Sequence, residues 1–599
     1  MSWWHDETTE EDEQHVRSIP LRAMLKRILP FFRPHRRTLT GAMLLLLVTV
    51  AAELGGPLII RHVLDTDIPG GDRSGVLLRG LLYAGLYAVG MWVAYIQVVM
   101  VSRVGLEIIT DLREQTFRHL MGLSLAYFDK NPPGKLMARV EADVERLRNL
   151  FSDFSIALFR NIVLLAGTIG VMLAVDVKVT LSIIVLLSPI MLATYFFLKY
   201  IRRAFHTVRK LYARISMFLA EYVQGIPVLQ VFGYTDKAMY DLAKLNKDKY
   251  STEIRVYFRQ YAFWGAFASA EIAAVMVIIW IGTRSVFGVA MTVGTLVLFI
   301  EYTRRLFFPL VIFSEQLNFL QRAFASADRV FGILDTPSRT ADRPDASADI
   351  PDEWTEMTFE NVTFEYDGGA KALDQVSFSV PRGQKVALVG LSGGGKTTIT
   401  SLLLRFYEPT DGRITLDGED IRAYQQKVWR RKIGLVLQDI HLFPGSLEDN
   451  LRVLRDEIPR EAMDRALKVV QAEAMVERLP DGYSTELSEG GGNLSMGERQ
   501  LLCFARAIVD DPDILILDEA TSSVDPATER RLQDSLDHLL EGRTSLIVAH
   551  RLSTIKTVDR ILVMHEGRLV EEGSHDELYE RGGVYRDLFD LQFAAQEVA

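Results

Sequence analysis

Residues 385–403 read KVALVGLSGGGKTTITSLL. Lys385–Gly390 is a short apolar run of the kind that forms a buried strand, and the residues after Lys396 carry a helical pattern. Between them, GLSGGGKT fits G-x-x-x-x-G-K-[ST] in the strand, loop and helix context that a phosphate cradle requires. Gly390, Gly393, Gly394 and Gly395 let the loop, Leu391 and Ser392 included, turn its N–H groups toward a phosphate chain. Lys396 supplies charge for the β- and γ-oxygens. Thr397 offers a hydroxyl to Mg²⁺, and Thr398 carries the site into the helix. The stretch therefore predicts an α/β domain that cradles a phosphate chain with Mg²⁺.

A second buried strand, Ile514–Leu517, ends in Asp518 and Glu519. A carboxylate pair at the end of an apolar strand is costly without a task. Asp518 is placed to hold Mg²⁺ through water, and Glu519 to polarise an attacking water. A second glycine-rich stretch lies at 490–500, GGGNLSMGERQ. Ser495 and Glu498 fit a capping box, S-x-x-E, which needs no ligand. Yet glycines feeding a helix start also suit an anion. One domain would then hold two phosphate cradles.

The rest of the chain is of another kind. It has 599 residues, a net charge of −10 and 49% hydrophobic residues, and nearly all the long apolar runs precede residue 325. The acidic balance and the lack of a basic tract argue against nucleic acid as a partner. A single cysteine, Cys503, excludes an intrachain disulfide. Residues 6–13, DETTEEDE, are acidic where a secretory signal is positive. Residues 1–16 are expected to be a disordered tail. In 17–37, Arg17, Arg22, Lys26, Arg27, Arg33, Arg36 and Arg37 alternate with Leu, Ile and Phe, predicting an amphipathic helix on a membrane surface.

Six runs are long enough to span a bilayer, about 38–60, 76–102, 153–175, 178–200, 258–283 and 291–313. The short loops between them hold one basic residue each, Arg73, Lys178 and Arg284, whereas 103–152 and 201–257 are rich in Lys and Arg. Those two segments, and both termini, are therefore expected in the cytoplasm. No proline interrupts Val76–Leu123, so the helix should run about 70 Å and project well below the membrane. Breaks at Pro132-Pro133-Gly134 and at Gly225–Pro227 predict tips, near Ala126–Lys135 and Glu221–Asp236, that dock on something beneath. Glu53, Arg160, Glu271, Glu301, Arg304 and Arg305 lie inside spans, where charge faces a cavity or a partner. Glu301 and Arg305 are spaced to neutralise each other, and Glu271 and Glu301 are the candidates for a substrate cavity.

Residues 336–353, with Pro337, Pro344 and Pro351, read as a linker. The expected organisation is thus a tail at 1–16, an interfacial helix at 17–37, an all-α six-helix transmembrane domain at 38–325, a connecting segment at 326–353, and an α/β P-loop nucleotide-binding domain at 354–599.

In this order the parts resemble an ATP-binding cassette (ABC) exporter half-transporter, over nearly the whole chain after the tail. The resemblance assigns further roles. Tyr366 is similar to the aromatic that stacks on adenine, and Gln438 to the residue linking Mg²⁺ and the attacking water to the membrane domain. Glu489 resembles the loop that touches the membrane domain's tips. Ser522–Asp525 corresponds to the segment that crosses between paired domains, and His550 to the histidine that holds the γ-phosphate. Leu494–Glu498 occupies the signature position, where Ser495, Met496 and Gly497 would face a partner's ATP. The family pattern there is L-S-G-G-Q, and this chain has L-S-M-G-E. Met496 brings a side chain where glycine allows close approach, and Glu498 brings negative charge.

Lys396, Asp518, Glu519 and His550 match the family while the signature departs from it. The resemblance therefore implies the catalytic-glutamate-bearing half of a heterodimer, with one consensus and one degenerate ATP site. It would export amphipathic drugs or lipids from the cytoplasm or inner leaflet of a bacterial inner membrane by alternating access. An ATP-gated channel or regulatory subunit, or a homodimeric exporter, remain alternatives.

Overall fold

The computed structural model describes residues 21–283, 291–338, 340–366, 369, 371–453, 455, 457–518, 526–549 and 552–592. The acidic tail, and the amphipathic helix before Leu21, lie outside these residues. So do Glu519, Ser522–Asp525 and His550. The chain forms two compact units, Met1–Met121 with Pro133–Thr336, and Gly122–Pro132 with Pro337–Ala599.

The first unit is helical. Its long helices are Arg36–His62, Arg73–Met121, Ser155–Val175, Val177–Gln224, Thr235–Thr283 and Val293–Leu334. Among the described residues, five helical runs are long and apolar enough to cross a membrane: Arg36–Asp67, Arg73–Met121, Pro133–Val175, Val177–Gln224 and Thr235–Thr283. The expected sixth span falls on Val293–Leu334, whose side chains at 308–318 lie outside the described residues. Leu77, Leu78, Leu81, Trp92 and Tyr95 point outward, as suits an apolar surface meant for lipid.

Helix Arg73–Met121 runs for 49 residues without a proline. It ends before Gly122, earlier than the prolines suggest. Pro133 instead opens the returning helix Pro133–Ala138, where its missing N–H costs nothing. The return carries two wide π turns, Arg139–Asp143 and Leu150–Phe154. The second excursion begins as Val177–Gln224, started by Asp176, whose carboxylate accepts from Lys178 N and Val179 N at 2.9 and 3.0 Å. Pro189 lies inside this helix. The chain turns at Gly225 and Ile226–Val231, then returns as the proline-free Thr235–Thr283.

The amphipathic segment forms helix Leu21–Phe32. Met24 and Ile28 are buried in a cluster with Val104, Ile108, Leu112, Phe151 and Phe331, and Arg27 pairs with Asp335 at 2.6 Å. Part of its apolar face is therefore covered by protein. At the far end of the bundle, Asp65 accepts from Thr292 Oγ1 at 2.5 Å and from Gly294 N at 2.7 Å. A Cβ on Gly294 would lie 2.4 Å from the Arg61 carbonyl oxygen, so this close approach requires glycine. Buried Asp67 is held by Arg79 at 2.5 Å.

The second unit is built on a six-stranded sheet. Its strand order is Arg568–Gly573, Arg560–His565, Lys385–Val389, Thr544–Val548, Ile514–Asp518, Ile433–Val436. The last five strands run parallel and the first is antiparallel. The central strands are almost wholly buried, because one face packs on helices such as Met496–Ile508 and Pro526–Leu540 and the other on helix Lys396–Leu403 and a smaller antiparallel sheet. This smaller sheet, Lys371–Pro381, Glu356–Glu365, Asp411–Leu416 and Glu419–Asp420, packs Phe359 on Phe378 at 4.4 Å. The first tip, Leu125–Lys130, belongs to this unit.

Candidate active site

Parallel register decides what the sheet brings together. Val548 pairs with Leu388 and with Asp518, and Leu517 pairs with Val436. The carboxyl ends of four adjacent strands therefore lie along one edge, which is where α/β sheets bind ligands. That edge presents Gly390 onward, Asp518 and the segment leading to Gln438. His550 and Glu519 follow these strands directly but lie outside the described residues, as does Asp525.

The loop after Lys385–Val389 is shaped by three left-handed glycines, Gly390, Gly393 and Gly395, with φ of 157°, 81° and 97°. A Cβ at Gly390 would meet the Met564 carbonyl oxygen at 2.2 Å, and one at Gly395 would meet that of Ala372 at 2.8 Å. Backbone crowds this loop from beneath while Leu391, Ser392 and Gly393 stay exposed above. Lys396 opens helix Lys396–Leu403 and is 6% exposed. Its Nζ donates to Gly390 O at 2.7 Å and Leu391 O at 3.0 Å. Burial pushes its pKa down, and Asp518 opposes that shift.

Thr397 is exposed, Thr398 is buried, and Thr398 Oγ1 lies 3.2 Å from the Tyr366 hydroxyl. Tyr366 sits edge-on to Tyr407 at 5.3 Å and to Phe364 at 4.8 Å, leaving it half-buried beside the loop. The oxygens of Thr397, Gln438 and Asp518 are hard donors of the type Mg²⁺ takes, so the residues present fit that ion.

At the second glycine stretch, Ser495 caps helix Met496–Ile508 and forms a full capping box with Glu498. Met496, the first helical residue, is 44% exposed. Met496, Gln500 and Cys503 share one cleft with Gln438 and Asp518. Cys503 is a packing residue whose thiol pKa burial pushes up. Glu489 lies in a short turn, Glu489–Gly491.

Of the charges inside the spans, Glu271 pairs with Arg304 at 3.6 Å and Glu53 with Arg160 at 2.9 Å. Arg305 donates to the Glu53 carbonyl at 2.7 Å. Arg304 thus reaches Glu271 on a neighbouring helix, and Arg305 reaches the first membrane helix rather than simply balancing Glu301 along its own. Glu301 is half-buried. Sequence reasoning missed two residues. Tyr407 donates to Asp129 of the tip helix, and burial raises the pKa of Asp129. Arg478 donates to Glu498. Neither stands in a pattern of its own; both are brought to their partners only by the fold.

Comparison with known proteins fits this arrangement. Residues 39–310 match the family model of the ABC transporter transmembrane region, and residues 373–522 that of the ABC transporter domain. An uncharacterized ABC transporter ATP-binding protein of Bacillus subtilis, YknV, is 35% identical over 576 residues, covering 96% of this chain and 95% of the relative. The chain belongs to the ABC transporters.

Other relatives carry a transport activity in their names. A putative multidrug export ATP-binding/permease protein of B. subtilis, YgaD, is 32% identical, covering 95% of this chain and 99% of its own. An ATP-dependent lipid A-core flippase of Desulfotalea psychrophila is 33% identical, with 95% and 99% covered. The solved structure of a bacterial Atm1-family ABC exporter with ATP bound superposes with a TM-score of 0.75 at 28% identity, covering 93% of this chain and 99% of that one. This ABC transporter is a multi-pass membrane protein of the exporter type, and its ATP-binding domain couples hydrolysis to transport.

Proposed function

We propose that this chain is one half of an ATP-driven exporter of amphipathic compounds, drugs or lipids, in a bacterial cytoplasmic membrane, with both termini and the nucleotide-binding domain in the cytoplasm. The names of its multidrug and flippase relatives support that substrate class. ATP binds at Tyr366 and the loop 390–398. Thr397, Gln438 and Asp518 hold Mg²⁺, which neutralises phosphate charge when bound. Gln438 and Glu519 orient the attacking water, and His550 holds the γ-phosphate. Ser495, Met496 and Gly497 face the partner's ATP, and Asp525 lies where paired domains cross.

The partner is a different half-transporter. The observation that carries this is Met496, exposed on the first turn of the signature helix where the family pattern has glycine, in a chain whose own phosphate loop and Asp518 are intact. Its side chain occupies space that a phosphate would approach, so a homodimer would carry the same defect in both sites. Purifying the full-length chain from its own membrane identifies the partner; a second half-transporter in equal amount is expected, and a stable homodimer with two fully active sites defeats the proposal. Loading inverted vesicles containing the complex with a fluorescent amphiphile tests export. ATP-dependent accumulation against a gradient is expected, and equilibration without accumulation would indicate a gated channel instead.

A further inference from the structure

Glu498 stands where the family pattern carries neutral glutamine, and an uncompensated carboxylate there would oppose a triphosphate. The surroundings of Glu498 remove that conflict. Its Oε2 accepts from Ser495 N at 2.9 Å and from Ser495 Oγ at 2.8 Å, while Ser495 Oγ accepts from Glu498 N at 3.3 Å. Its other oxygen, Oε1, accepts from Arg478 Nη2 at 3.1 Å. Arg478 ends the helix Glu473–Arg478 and is steadied by its Nε, which donates to the Ala474 carbonyl at 3.1 Å. Desolvation disfavours the Glu498 carboxylate, but the Ser495 bonds outweigh it, helped by Arg478 and Arg531, and the net pKa is lowered. Glu498 is therefore ionised, held at both oxygens and matched by a cation.

We infer that Arg478 is a positioning residue of the nucleotide site completed by this signature: it cancels the charge of Glu498 so that the helix start at Ser495–Gly497 can still receive a partner's phosphate. This rests on reading Ser495–Gly497 as the signature. Two physical effects combine. The ion pair removes a net negative charge from the first helical turn, where the helix dipole otherwise favours an anion. Arg478 also holds the Glu498 carboxylate in place, so the Ser495 N–H keeps a fixed acceptor while the Ser495 hydroxyl turns from Glu498 toward phosphate. Of the two departures from the family pattern, Glu498 is the compensated one, and the defect lies in Met496.

The test measures ATP retained by the signature-completed site in the purified full-length complex, using radiolabelled ATP, for Arg478→Ala, Glu498→Gln, the double variant and Ser495→Ala. Arg478→Ala is expected to cut retention by about two- to fivefold, the scale of one exposed ion pair. Glu498→Gln should abolish that sensitivity, so the double variant behaves as Glu498→Gln alone. Arg478→Lys, which keeps the charge without the planar fork, should fall between. An equal loss from Arg478→Ala in both backgrounds, or no loss while Ser495→Ala does lower retention, overturns the inference. If Ser495→Ala itself changes nothing, the signature reading fails, and the role of Arg478 falls with it.

Discussion

The Lys396 ammonium lies 2.7 Å from the Gly390 carbonyl at the opposite end of its own loop. Six residues apart in sequence, they close the loop into a ring, and inside it Gly394 N donates to Leu391 O at 3.1 Å. The ammonium is desolvated, so a triphosphate would meet a cation whose hydration is already largely removed. Lys396→Ala should abolish ATP binding at this site with little change in folding, measured by nucleotide titration beside a thermal scan. Undiminished ATP affinity would show that Lys396 does not meet the phosphates.

Gly390→Ala should act differently. The added Cβ meets backbone, the Met564 carbonyl oxygen, at 2.2 Å, and backbone cannot swing aside. Overpacking of this kind costs about 1–3 kcal/mol. For a domain of this size that is roughly 2–4 °C of melting temperature per kcal/mol. Calorimetry of the complex should show the nucleotide-binding domain's transition lowered and ATP binding weakened together. An unchanged transition would mean that the loop is not held against Met564.

Glu519→Gln should keep ATP binding and reduce turnover by at least about a hundredfold, the scale of losing a general base. Steady-state hydrolysis beside nucleotide binding checks this, and near-normal turnover would remove Glu519 from the role. On the further proposal that the partner carries no effective glutamate of its own, trapping should find hydrolysis at one of two sites. Met496→Gly with Glu498→Gln should then raise the rate by less than about twofold, because the partner's base limits the second site.

Tyr407→Phe deletes only the hydroxyl that donates to Asp129. Tyr366 and Tyr407 keep their ring contact, so ATP binding should hold while transport per ATP hydrolysed falls. Flux and hydrolysis measured on the same vesicles give that ratio. A proportional fall in both would place Tyr407 in nucleotide binding alone.

Glu271→Gln tests whether Glu271 serves substrate or the protein. It leaves Arg304 unmatched, and loss of one partner of a pair costs more than loss of both. If the pair is structural, Glu271→Gln with Arg304→Gln should recover the stability lost by Glu271→Gln alone, with stimulation of hydrolysis by amphiphiles unchanged. A change of substrate preference in the double variant would instead assign Glu271 to the cavity.

The phosphate loop is legible in the sequence because its physics is local. Three left-handed positions need glycine, and strand and helix flank them within nineteen residues. The membrane helices are legible because their apolar runs exceed what a soluble core requires. The capping box of Ser495 and Glu498 is legible by spacing, but the cation that completes it is not, since Arg478 lies twenty residues earlier. The tip geometry is only half legible. Pro132 and Pro133 predict a break, yet proline suits the first turn of a helix as well as its end, and here Pro133 begins the return. The partners of Arg304 and Arg305 are set by helix packing, which spacing along a single helix does not express.

The two excursions share one mechanical asymmetry. Each couples an uninterrupted rod, Arg73–Met121 or Thr235–Thr283, to a jointed companion, softened by π turns at Arg139–Asp143 and Leu150–Phe154 in one and by Pro189 in the other. Joints of both kinds are where helices bend. A push at either tip would therefore travel undamped along one member while its companion flexes. The order alternates: the stiff member comes first along the chain in the first excursion and last in the second. Stiffening a joint, for instance by Pro189→Ala, would turn that pair of strut and hinge into two struts.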